Sequence, residues 1–154
     1  MSEDLIELYL LGPKLLADAV EGMSESDLDA MPVPGRWSTR SVICHISDFE
    51  PIYADRIKRG IAEDKPTIFG GDPDLFASKL FYDQRDVQSE IRLITAIREH
   101  VAGILKLIPA EDFNREVIHS VDGPLTITTL LKRISNHIPH HVKFIEEKRK
   151  AMGF

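Results

Sequence analysis

Apolar side chains recur every three or four residues along almost the whole chain, and no segment sustains the two-residue alternation of a half-buried strand. Such a chain must bury stripes on helices. Breaker residues cluster at Met31–Arg36, Lys65–Pro73 and Val121–Pro124 and cut the pattern into four long stretches. The first, about Glu3 to Glu21, carries Leu5, Leu8, Leu11, Leu15, Leu16, Ala19 and Val20, with Pro13 as a kink or as a restart after Gly12. Ser24 followed by Asp27 marks a short helix with Ser24 as its cap. The second stretch opens at Ser38 or Thr39 and runs to about Ala62, with Val42, His45, Phe49, Ile52, Ile57 and Ile61 near one stripe. Pro51 inside it predicts a kink and a missing bond to the Ser47 carbonyl. The third runs from about Asp74 to Ile108, with room for a break, and a short helix opens at Pro109. The fourth starts at Thr126 or Thr128 and reaches about Met152, with Leu130, Ile134, His137, His141, Ile145 and Lys148 spaced by three or four. The expectation is an all-α four-helix bundle without a sheet of consequence, in one domain spanning 1–154.

Charge narrows the function. With 19 basic against 25 acidic residues the net charge is −6, and the basic run Lys148-Arg149-Lys150 falls where a helix C-terminus welcomes cations. A nucleic-acid binder needs a basic stripe, so no nucleic-acid partner is expected. No apolar run reaches the ~18–20 residues of a membrane span. The acidic start Met1-Ser2-Glu3-Asp4 lacks the basic region of a signal peptide, and the single cysteine, Cys44, excludes an internal disulfide. Both point to the cytoplasm.

The histidines carry the chemistry. His137 and His141 are four residues apart and share the apolar face of the last helix; His45 sits on the apolar stripe of the second. An unpaired imidazole in a core costs roughly 1–3 kcal/mol, so each ring needs a partner. A divalent metal would serve all three and leave a coordination position open, the pattern of catalytic sites. Hydrogen-bonded core histidines would satisfy the same spacing. His140 and His100 fall off the stripes, and His119 precedes the Asp122-Gly123-Pro124 turn, near one end of the bundle.

Local patterns then coincide in order and spacing. Pro34-Gly35-Arg36-Trp37-Ser38 leads into a helix bearing Cys44-His45-Ile46, and His119-Ser-Val-Asp-Gly123 leads into Asn136-His137-Ile138-Pro139-His140-His141. Over nearly the whole chain this resembles the DinB/YfiT-like superfamily of bacterial proteins. The resemblance implies a four-helix bundle that holds a divalent metal, often zinc or nickel, through His45, His137 and His141, and frequent homodimers. It implies either a metal-dependent hydrolase or a thiol-dependent S-transferase or isomerase using a low-molecular-weight bacterial thiol, acting on a small-molecule substrate. Two positions depart from the family pattern: Phe144 stands where glutamine is frequent, and Pro139 lies between the two ligands of the last helix.

Other residues could complete such a site. Asp48, three residues after His45, is the candidate to orient that ligand or accept a proton. Glu50 is rotated further away. Cys44 reads as buried filler, Trp37 as a packing anchor at the pocket edge, and Arg36 and Arg98 as possible seats for an anionic substrate. Two further readings stay open: a metal-binding stress-response protein without catalysis, and a plain helical interaction module.

Overall fold

The computed structural model describes residues 2–154. Helix α1 spans Ser2–Ala19 and α2 Glu25–Asp29; α3 is Thr39–Ala62 and α4 Pro73–Lys79; α5 runs Val87–Leu105 and α6 Ile127–Ala151. Around the bundle, α1 packs on α5 and α6, and α3 packs on the same two helices, so α1 and α3 lie diagonally opposite.

The caps follow the sequence. Ser24 accepts from the Asp27 amide while the Asp27 carboxylate accepts from the Ser24 amide, a reciprocal capping box. Ser38 caps α3 through the Ser41 amide, and Thr126 caps α6 through the Thr129 amide. Three prolines lie inside helices that run on through them, Pro13, Pro51 and Pro139. Pro13 therefore restarts nothing. The expected third stretch is broken: after α4 the chain makes a 3₁₀ turn at Tyr82–Gln84 before Asp86 caps α5.

A small sheet is present where none of consequence was expected. Its strands are β1 Thr67–Ile68, β2 Glu116–His119 and β3 Gly123–Thr126, in order β1-β2-β3, with β1–β2 parallel and β2–β3 antiparallel. Strands of two to four residues are too short to show an alternation in the sequence. The sheet closes one end of the bundle and places His119 on β2, away from the loop position expected of it.

One buried polar group ties the helices together. Arg98 of α5 and Glu50 of α3 are both 0% exposed. Arg98 donates to Glu50 Oε1 at 2.9 and 2.5 Å, to the Tyr9 carbonyl of α1 at 2.7 Å and to the Ile134 carbonyl of α6 at 2.9 Å. The sequence around Gly12-Pro13 makes room for it. Proline has no N–H to give the carbonyl four residues back, which is that of Tyr9, so this acceptor is free for Arg98. A Cβ on residue 12 would overlap Arg98 Nη1. Arg98 is thus a structural cation and no seat for an anionic substrate, because nothing from solvent reaches it.

Candidate metal centre

His45 projects from α3, and His137 and His141 from successive turns of α6. Their ring centroids stand 4.9, 4.7 and 4.7 Å apart, and the three sets of ligand atoms lie within 4.8 Å of one another. Among the described residues no carboxylate or thiol joins this group. His45 Nε2 approaches His137 Nε2 to 2.9 Å. Two imidazole nitrogens on one tetrahedral zinc would stand about 3.3 Å apart, given Zn–N bonds of about 2.0 Å. The approach therefore suits a shared ion.

The surroundings keep the rings uncharged. Trp37 and Phe49 wall His45 at 5.4 and 4.9 Å, and Phe76 of α4 packs on Phe49 at 5.3 Å. Burial pushes His137 down to about 2, helped by His141, His45 and the Arg98 cation. Burial, His45, His140 and Lys148 push His141 down to about 3. Burial also lowers His45, and the nearby Asp48 charge opposes that shift. Three neutral nitrogens are the form a metal binds. Nδ1 of His45 and of His137 are buried with no protein partner. A metal held on the Nε2 side would leave the proton on each Nδ1.

The remaining candidates separate. Asp48 forms a bidentate pair with Arg85 at 2.8 and 3.1 Å, and Arg85 also grips both oxygens of Glu90. It lies beside the cluster and acts on His45 through its charge. Cys44 is fully buried, its thiol turned toward the Tyr82 carbonyl at 3.7 Å and pushed up to about 12 by burial. His119 accepts from the Val121 and Asp122 amides through Nδ1 and holds the β2–β3 turn. His140 is exposed against Phe144, and His100 is exposed beside Lys58. The sequence reasoning passed over Lys148 as a terminal cation. It is 2% exposed and lines a cavity beside His141 with Arg36, Trp37 and Phe144. The signal was a lysine in register with Leu130, Ile134 and Ile145 on the apolar stripe.

The family model of the DinB superfamily matches residues 9–145. YfiT of Bacillus subtilis, named as a candidate metal-dependent hydrolase, is 25% identical over 143 residues, covering 92% of this chain and 80% of that protein. A protein of Oceanobacillus iheyensis with the same kind of name is 27% identical over 140 residues, covering 90% of this chain and 81% of its own length. The solved YfiT structure superposes with a TM-score of 0.93 at 24% identity, over 99% of this chain and 88% of that one, and is described as a four-helix bundle of unusual topology. A mycothiol-dependent maleylpyruvate isomerase shares the fold at a TM-score of 0.72 and 11% identity, over 93% of this chain and 60% of that one.

Proposed function

Since the chain belongs to the DinB superfamily, we propose that it is a metal-dependent hydrolase whose ion, zinc or nickel, is held by His45, His137 and His141. The observation that carries this reading is the three-histidine group itself, which converges from two helices with no carboxylate or thiol among the described residues to close it. A divalent cation bound there would supply Lewis-acid polarisation and activate water near neutral pH. The chain's own residues do the rest. Burial and Arg98 hold His137 neutral and ready to ligate. Trp37 and Phe49 keep bulk water from His45. Asp48, fixed by Arg85, places a negative charge near His45 and so favours cation binding there. With both its oxygens on Arg85, Asp48 serves by charge and position.

Thiol transfer is the second reading. Cys44 is buried with a raised pKa, so the sulfur would have to come from a small thiol entering the open position. The fold likeness to a thiol-dependent isomerase supports the scaffold for this and nothing finer. Among the described residues no helix is long and apolar enough to cross a membrane. The single cysteine, Cys44, agrees with the reducing cytoplasm, where we place the activity.

The test is turnover of a panel of small esters, amides and lactones by zinc- and nickel-loaded protein, beside a panel of electrophiles with an added thiol. Hydrolysis that falls by about 100-fold or more in His141→Ala, with helical content retained, supports the reading, since removing a metal ligand removes the activating charge. Turnover only in the thiol panel favours the second. No turnover in either, by protein carrying one metal equivalent, contradicts both.

A further inference from the structure

The cavity beside His141 has a volume of about 230 Å³. A cavity of about 150 Å³ accepts benzene, so this one takes a small organic molecule. Two cations line it and neither has a carboxylate partner among the described residues. Lys148, 2% exposed, donates to the Phe144 carbonyl at 3.1 Å. An ammonium carries three donors, so two remain. Arg36 reaches the cavity from the segment before α3, its guanidinium over the Phe144 ring at 5.0 Å from the centroid. Both cations face the same space as His141.

A buried ammonium without a counter-ion is costly, and a second cation beside it adds to the cost. Burial lowers the Lys148 pKa; the Glu147 charge opposes this, and the Arg36 charge adds a smaller lowering. The attraction of a helix C-terminus for cations accounts for a basic residue here, and would be served as well by a lysine in solvent. It leaves the burial and the converging Arg36 unexplained.

We propose that this cavity binds the oxyanion of the substrate, a carboxylate or phosphate group, between Lys148 and Arg36, with the substrate's apolar body against Trp37 and Phe144. The proposal rests on the metal-dependent reading above and adds the substrate class to it. It also bounds the substrate's length. The Lys148 ammonium reaches back to the carbonyl of Phe144, three residues beyond His141, and three residues of helix rise about 4.5 Å. The oxyanion and the reacting bond are therefore separated by only a few bonds. Phe144, where the family pattern has glutamine, supplies the ring on which Arg36 rests.

The test uses phenylacetate and phenylphosphonate as oxyanion probes and phenylacetamide as the neutral match, titrated by calorimetry into the zinc-loaded protein. His45→Ala supplies a form that lacks one ligand and keeps the cavity wall. Charge-assisted hydrogen bonds predict that at least one anion binds about tenfold or more tightly than the amide. That preference persists in His45→Ala and in Lys148→Arg, and is lost in Lys148→Met and in Arg36→Gln; Arg36 is exposed and outside the core. Whichever anion binds more tightly identifies the group. Equal binding of amide and anions, no binding of any probe, or a preference that survives both substitutions overturns the proposal. So does a preference that vanishes in His45→Ala, because the anion would then be a metal ligand. If wild type holds no metal and still prefers the anion, the metal reading fails, and the cavity stands as an oxyanion-binding site without the substrate role that rested on that reading.

Discussion

Arg98 and Glu50 meet at 2.5 Å with no solvent exposure on either side, and the Arg98 charge helps keep the His137 ring neutral. The same guanidinium binds carbonyls of α1 and α6, so the group that joins the helices also conditions the candidate metal centre. Removing one partner leaves the other charged and buried. Glu50→Met or Arg98→Met is predicted to destabilise by about 3–5 kcal/mol, and the double substitution Glu50→Met with Arg98→Met by markedly less than the sum. Urea titration of the four proteins checks this; additive losses would show the pair to be uncoupled.

Gly12→Ala should behave as a core overpacking change, because the new methyl would overlap Arg98 Nη1 and lie within 2.9 Å of Ile138 Cδ1. The expected loss is about 1–3 kcal/mol. Gly103→Ala, which meets nothing within 4 Å, is the control in the last turn of α5 and should be neutral or slightly stabilising. Equal effects at the two sites would contradict the account of why glycine stands at 12.

Acid should weaken the metal-free protein in a defined window. His137 and His141 are held at about 2 and about 3 in the fold, below the ordinary value of 6.5 that they regain on unfolding. Between those limits the unfolded chain binds more protons, so stability is full above pH 6.5 and is lost as pH falls below it. One such proton accounts for up to about 1.4 kcal/mol per pH unit. Chemical denaturation at pH 7 and pH 5, above the main carboxylate range, should show this loss, and His137→Phe should reduce it. A stability that is flat from 7 to 5 would contradict it.

Cys44 should resist thiol reagents while the protein is folded and react fully on unfolding, because the thiol is fully buried and pushed up to about 12. Fast reaction in the native state would reopen a role for the protein's own sulfur.

The bundle was legible because amphipathic period and caps are local properties. Ser24, Ser38 and Thr126 sit where their helices begin, and the three-residue offset of their backbone partners is written in the chain. The histidine group was legible in part for the same reason: His137 and His141 share a face by helix geometry alone. His45 joined them as a third ring on an apolar stripe, and the family resemblance strengthened the grouping, since no local rule sets two helices 92 residues apart in register. The Arg98 group stayed hidden because its acceptors lie 89 and 36 residues away. Arg98 in sequence is one arginine among many. Gly12-Pro13 reads as a helix breaker until the guanidinium that needs it is in place. The sheet stayed hidden because β1 pairs with a strand about 50 residues further on and is only two residues long.

Metal content tests the central claim most directly: elemental analysis of protein purified without added metal or chelator, with His45→Ala and His141→Ala beside it. The account predicts about one equivalent of zinc or nickel in the wild type and its loss in both variants, with helical content unchanged, as a site needing all its ligands requires. Wild-type protein that carries no metal and shows no thermal shift when zinc or nickel is added would contradict it, and would leave the three histidines as neutral rings packed in a core.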